Sequence, residues 1–431
     1  MGNVTCKPGI QETNLDLLKK RVESADEKDK LAVLCFDEME IKKCYEYDHR
    51  NKQVYGPHKK LQVVILRSLF SNYKETIYFE FDRNMTLDLI EKLVIESESR
   101  GLKIYGLSFD LGNKTLLSEI GFRDLKNKII NPADKSRYIY LFPDPPHMIK
   151  LLRNHCFDKG LLFKGDIGDY QPLNCQHFID LNEKDGLELK LCPKLKKFHT
   201  EVKGLQRQKV YLATQLFSQT VGKSMLFQSG QSLKVQAESI LKIDCWFDVM
   251  NSRLPYTSVP YRCGYGINPS FQETALENME KLVKEMRFNG NPKSATKKPF
   301  QNGILISIMS IRELFSTLKH LYPDINYILT ARLNNDICEN KFSQIRGIGG
   351  NQTHPGPVVA INRMRCLVIT KDAANLVQDP NVRLPEHYPD HESAPREEFI
   401  AEFAGDLPDP SIEVKKILTN AVLAYILVTS L

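Results

Sequence analysis

No long hydrophobic run occurs in this sequence. The most apolar stretch, AVLAYILVTSL, is the eleven residues 421–431. A membrane-spanning helix needs about 20. The stretch is therefore expected to dock on the fold as a helix or strand, and no partnership with a membrane is expected. The opening residues MGNVTCKPGIQETN contain no apolar signal core, which argues against secretion. The ten cysteines form no C-x-x-C pair and no Cys/His cluster of zinc-finger spacing. Free thiols in a cytosolic or nuclear protein are the expectation. Internal repeats and long low-complexity tracts are absent. Neither sign of charge dominates: 59 Lys and Arg face 53 Asp and Glu, for a net +6 and a pI near 8.6. That balance permits a nucleic-acid partner without requiring one. A phosphate-binding P-loop is also missing. Val221–Met225 contains Gly-Lys-Ser, but Phe217 stands where the first glycine of G-x-x-x-x-G-K-[ST] belongs. Lys223 is accordingly expected on the surface.

What is present is a chain of 431 residues, 42% hydrophobic, enough for two or three domains with a sizeable core. A polar helix is expected over 12–30, and strands over 31–36, 61–70 and 76–81. A helix with Leu89, Ile90, Leu93 and Val94 on its apolar side should follow, stopped by Gly101. Next come a strand over 102–110, a helix from about Lys114, the strand in RYIYLFPDPPHMIK, and a helix admitted by Pro145 and Pro146. This alternation predicts an α/β unit with a mixed sheet. From 156 to 330 the chain turns basic, then helical in pattern. Seven Lys and Arg fall between 190 and 209 against the single acid Glu201. The segment ILISIMSIRELFSTLKHLYP reads as one apolar-rich helix. MRCLVIT (364–370) is a short apolar run, and DPNVRLPEHYPDHESAPREEF is a Pro- and acid-rich linker.

Three separated acids carry the chemistry. Asp37 ends the apolar run LAVLCFDEMEIK, and Asp110 ends LKIYGLSFDLGNK. Glu339 lies in NNDICENKFSQIRGIGGNQTHPGP, three residues after Asp336 and on the same helix face. Asn335, Asn340 and Arg332 stand nearby in sequence. Two carboxylates from strand ends and one from a late helix suit two Mg²⁺ ions, held roughly 3.5–4 Å apart during phosphoryl transfer. Other roles compete: a strand-end Asp is commonly a turn former, and Glu38 and Glu40 are plausible decoys. His147 is read as packing or capping at a helix start, Asp144 as a turn residue before two prolines, and Trp246 and Phe247 as core.

The run around Glu339, the block YLFPDPPHMIKLLRN and the two strand-end aspartates resemble P-element-type transposases, which include the THAP-domain transposases of animals. The resemblance runs over roughly residues 30 to 370. It implies an RNase H-like catalytic domain interrupted by a largely helical GTP-binding insertion. The expected organisation is an N-terminal helical segment (1–30), a first RNase H-like part (31–155), the insertion (156–330), a last RNase H-like part with the catalytic helix (331–370), and a linker with a C-terminal helical segment (371–431). It also implies cut-and-paste chemistry on double-stranded DNA, at transposon ends and target. Asp37, Asp110 and Glu339 take the places of the metal-binding acids. Guanine nucleotide is implied as a positioning cofactor that is not hydrolysed. Candidate ligands are Lys194 and Lys209 for phosphates, Val210 through its backbone and Ser218 through its hydroxyl. Asp248 and Asn251 would read the base, and Asp336 would link the pocket to the catalytic helix. Nuclear action as a homo-oligomer is implied as well. The family's zinc-binding DNA-recognition module and long coiled coil have no counterpart in the sequence. The alternative is therefore a catalytically silent, transposase-derived regulator or truncated copy that binds DNA, GTP or partner subunits.

Overall fold

Leu31 to Phe36 are all buried, as a strand covered on both faces must be. They form the middle of a seven-stranded sheet. The computed structural model describes residues 6–376, except 166–167, 186–189, 290–295, 349 and 351, with side chains to residue 368. In chain order the strands are β1 (Gly9–Ile10), β2 (Leu31–Glu40), the ribbon β3 (Glu46–Asp48) and β4 (Gln53–Tyr55), β5 (Lys60–Ser68), β6 (Lys74–Phe81), β7 (Lys103–Phe109), β8 (Lys128–Ile130) and β9 (Tyr138–Pro143). The large sheet has the order β1-β6-β5-β2-β7-β9-β8. Strands β2, β7 and β9 are parallel neighbours, and β5, β6, β1 and β8 pair antiparallel. The expected mixed α/β, RNase H-like sheet is thus observed.

Side chains alternate across a strand. Ala32, Leu34 and Phe36 face a core shared with helices α1 (Glu12–Glu23), α2 (Leu87–Glu98) and α3 (Lys114–Glu119). Helix α1 is shorter than expected. Ser24 and Asp26, poor interior helix formers, precede a short 3-10 turn at Glu27–Lys30. Helix α2 begins where Thr86 caps the Leu89 N–H at 3.4 Å. Val33, Cys35 and Asp37 face the other way.

Helix α4 (Pro145–Lys159) leads to a small sheet of β10 (Leu161–Lys164), β11 (Tyr170–Leu173) and β12 (Arg287–Phe288). These strands fall inside the region expected to be largely helical. The helices there are α5 (Cys175–Lys184), α6 (Lys197–Thr200), α7 (Val210–Leu216), α8 (Gln219–Ser229), α9 (Lys234–Met250) and α10 (Pro269–Glu285). The apolar-rich helix is α11 (Pro299–Leu321). It packs along β9 of the large sheet: Ser307 donates to the Pro143 carbonyl at 3.0 Å and Ser310 to the Leu141 carbonyl at 2.6 Å. Part of the region read as insertion therefore covers the large sheet. Helix α12 (Asp336–Gly347) and α13 (Pro357–Leu376) complete the described chain.

Contacts divide the chain into residues 1–363 and 364–431. Of the second unit only residues 364–376 are described, and they are helical, so 371–376, expected to begin the linker, continue a helix; the rest of the expected linker and the terminal helix lie outside the described residues. No described helix is long and apolar enough to cross a membrane.

Candidate active site

Strand register builds one end of the site. Cys35 pairs with Ser108 across β2 and β7, and Ser108 with Phe142 across β7 and β9. Two residues further on, in the same parity, come Asp37, Asp110 and Asp144. They form a row across three adjacent parallel strands, whose spacing is about 4.8 Å. Ligand sites collect at this carboxyl end of parallel strands. Phe36 and Phe109 stack on the opposite face at 5.8 Å between ring centroids, which sets the aspartates toward α12. Glu38 points the other way and pairs with Lys60, while Glu40 lies 3.6 Å from His354.

Each acid is held differently. Asp37 accepts the Glu38 N–H at 2.8 Å. Burial, then the charge of Asp110, push its pKa up to about 7, with a smaller contribution from Glu339. Asp110 accepts the Gly112 N–H at 2.9 Å. A Cβ on Gly112 would lie 3.1 Å from that same oxygen, so glycine lets the turn close on the carboxylate. Glu339 sits in the first turn of α12, its side chain 54% exposed.

Helix α12 is fastened to the sheet by buried bonds. The Asn335 side chain donates to the Phe36 carbonyl at 3.0 Å, and its backbone N–H donates to Asp144 at 2.9 Å. The Cys35 thiol lies 3.7 Å from the Asn334 carbonyl. Asp144 is the residue that sequence reasoning undervalued. It is not a turn residue but a buried carboxyl. It caps α4 by accepting the His147 N–H at 2.9 Å and also holds α12. Burial first and Asp336 second push its pKa up to about 8. The signal was Asp followed by two prolines, a helix-start signature. His147 stands at that helix start, as expected. Burial and Lys150 lower its pKa, and Asp110 opposes them. Arg332 points elsewhere, donating to the Leu69 and Ser71 carbonyls at 2.9 and 2.8 Å. Asn340 is exposed.

The charges of Asp110 and Glu339 thus both act on Asp37. Among the described residues, however, no three His, Cys, Asp or Glu side chains close to metal-holding distance. Like charges repel, and Glu339 lies instead 3.7 Å from the Lys150 ammonium. The donor set is all hard oxygen, which suits Mg²⁺. Burial first, and then repulsion from Asp110, raise Asp37; a bound cation would offset the repulsion.

The candidate nucleotide residues are less assembled. Asp336 accepts from Arg253 at 2.7 Å and from Asn334 at 3.2 Å, and Asn334 also donates to Asn251 at 3.1 Å. Asp336 and Asn251 are therefore joined through Asn334, and the end of α9 meets α12. Asp248, one turn earlier on α9, is held by Arg262 at 2.8 Å. Lys194 is exposed. So is Lys209, which precedes α7 with its ammonium 5.8 Å from the Tyr211 ring. Val210 is the first residue of α7. Ser218 caps α8 through the Val221 N–H at 3.4 Å. Trp246 and Phe247 are core, as expected. Lys223 is not on the surface: it is 9% exposed, with its pKa lowered by burial. The packing of α8 on α9 encloses it.

Comparison with known proteins decides the family. Residues 6–117 match the TNP-like RNase H N-terminal domain, and residues 146–262 the TNP-like GTP-binding insertion domain. The structure of the Drosophila P element transposase strand transfer complex superposes with a TM-score of 0.78 at 30% identity, covering 86% of this chain and 83% of that one. The chain belongs to the P-element-type transposase family. The Transposable element P transposase of Drosophila melanogaster is 32% identical over 378 residues, 86% of this chain. This P-element-type chain spans 49% of the length of that relative.

Proposed function

We propose that this chain carries the DNA chemistry of a P-element-type transposase, cleaving DNA and joining the freed end to target DNA. The row of Asp37 and Asp110, facing Glu339 on a helix pinned to the same sheet face, carries the reading. In the first step a water oxygen bonds to phosphorus and the P–O3′ bond breaks, leaving a 3′-OH. In the second that 3′ oxygen attacks a target phosphodiester, whose own P–O3′ bond breaks. Asp37, Asp110 and Glu339 would hold two Mg²⁺, which when bound supply an activated oxygen nucleophile and a stabilised leaving oxygen. The residues themselves orient these charges: Gly112 aims Asp110, and Asn335 with Asp144 sets the height of Glu339.

The match of residues 146–262 to a GTP-binding insertion supports a guanine nucleotide as positioning cofactor. An Asp248 carboxylate freed from Arg262 can accept both N1–H and N2–H₂ of guanine, which adenine does not offer. Phosphates would draw on Lys194, Lys209, the Val210 backbone and Ser218. Asn251 and Asp336 would tie nucleotide occupancy to α12. Double-stranded DNA as substrate follows from the same reading, as do a nuclear site of action and a homo-oligomer on paired ends. The second reading, a silent regulator, is favoured by the Lys150–Glu339 pair that occupies one of the acids.

The test is strand nicking and joining on short duplexes with exposed 3′-OH ends, in Mn²⁺ or Mg²⁺, with and without GTP. Wild type should act, and Glu339→Gln should lose activity by about 10³-fold or more while keeping its fold and GTP affinity. A folded, GTP-binding wild type without activity would establish the regulator.

A further inference from the structure

Lys150 lies on α4, one turn after His147 and two after Asp144, on the side of the helix that faces the acid row. Its side chain is 9% exposed. Burying an ammonium is costly unless it is paired and hydrogen-bonded. Yet among the described residues the Lys150 ammonium donates no hydrogen bond. Its ion pair is with Glu339, at the long distance of 3.7 Å. A purely structural lysine would be expected to hold a fixed, buried acid. One stands on the same helix: Asp144, 4% exposed, but it is occupied by the backbone N–H groups of His147 and Asn335. Lys150 is paired instead with an acid whose side chain is more than half exposed. The Lys150 charge also acts on Asp144, at the end of the aspartate row, and on His147.

We propose that Lys150 is a catalytic residue that binds the phosphodiester under attack. Its ammonium leaves Glu339 and donates to a non-bridging phosphate oxygen, where negative charge builds in the transition state. A compact ammonium with three donors suits that task. Its burial strengthens the interaction and sets the geometry in advance. No bond to Lys150 forms or breaks. The inference rests on the proposed DNA chemistry.

The experiment uses the full chain with Mn²⁺ and a duplex bearing an exposed 3′-OH. It compares wild type, Lys150→Met, Lys150→Arg and Glu339→Gln. At saturating DNA, Lys150→Met should slow joining by about 10²–10³-fold, the loss typical of one oxyanion donor. DNA affinity should change far less, since one phosphate contact among many is removed. Mn²⁺ affinity, read from the shift in melting midpoint, should be unchanged or tighter, because Glu339 is released. Lys150→Arg should recover part of the rate. Sulfur in place of each non-bridging oxygen of the reacting phosphate should slow wild type more for one stereoisomer. That preference should change in Lys150→Arg, which keeps charge and bulk and so also serves if the Met variant does not fold. A wild-type rate in Lys150→Met with Glu339→Gln inactive overturns this inference alone. So does a loss of Mn²⁺ affinity that matches the loss of rate, or an unaltered stereoisomer preference in the Arg variant. Absence of any Glu339-dependent activity in wild type overturns it together with the proposed function.

Discussion

The acid end of the sheet and the candidate nucleotide residues of the insertion are built by different means. In the sheet, hydrogen-bond register places Asp37, Asp110 and Asp144 side by side, and buried bonds from Asn335 bring α12 to them. In the insertion the candidates stand on helix ends, and several are already engaged. Asp248 is held by Arg262, and Ser218 by its own helix, while Lys194 and Lys209 lie exposed. At the sheet end the backbone frame is already in place, and among the described residues only the closing of its acids to metal-holding distance is left to a ligand. The insertion residues must exchange partners to receive one. The difference follows from mechanics: a strand fixes its neighbours through backbone bonds, whereas helix packing leaves polar ends to find local partners.

The largest structural effect that tests this contrast is removal of the Asp144 carboxyl. Asp144→Ala leaves the buried N–H groups of His147 and Asn335 without acceptors, at about 1–3 kcal/mol each. Urea unfolding should show a loss of about 2–4 kcal/mol, and strand joining should fall as Glu339 shifts. Asp144→Asn keeps acceptor oxygen and should lose less. A loss within the surface range of about 0.5 kcal/mol would mean the acid end is not prebuilt.

Next in size is the base-reading carboxylate. Asp248→Asn should weaken GTP by about tenfold or more, the value of one charged hydrogen-bonding partner, and leave ATP nearly unchanged in titration calorimetry. Equal weakening of both nucleotides would remove Asp248 from the pocket and leave it as the structural partner of Arg262.

A third effect separates the regions by pH. The pKa of Asp37 rises from an ordinary value near 3.9 to about 7 on folding. The folded state therefore binds the proton more tightly than the unfolded one. The Asp37 contribution to stability is fully present below about pH 4 and is lost as pH rises through 7. Asp37→Asn, which cannot ionise, should lose less stability than wild type between pH 4 and 8, by several degrees in melting midpoint. Equal slopes would mean that neither burial nor Asp110 raises the Asp37 pKa on folding.

Much of the sheet could be read from period-2 alternation and strand-end acids, because each depends on nearby residues. LAVLCF was legible as a strand, and the parity that turns Phe36 inward turns Asp37 outward. Glu339 was legible from its helix and its spacing from Asp336. Asp144 was only half legible: Asp-Pro-Pro announces a helix cap, but nothing local reveals that Asn335, 191 residues later, shares the carboxyl. The small sheet of β10, β11 and β12 was missed because its strands have two to four residues, too few to show alternation. Lys223 was misplaced because burial between α8 and α9 depends on packing, and a lysine in a mixed helix carries no sign of it.

The sequence by itself determined the α/β alternation, the catalytic acids proposed for the site and the family resemblance, since these reside in local pattern and motif. Only the tertiary structure decided that three strand-end aspartates form one row and that Asp144 ties two helices together. It also decided that Arg262 holds Asp248 and that a buried Lys150 faces Glu339. Those facts are contacts and burial between residues far apart in the chain, and their energies arise only when the sheet and helices close on one another.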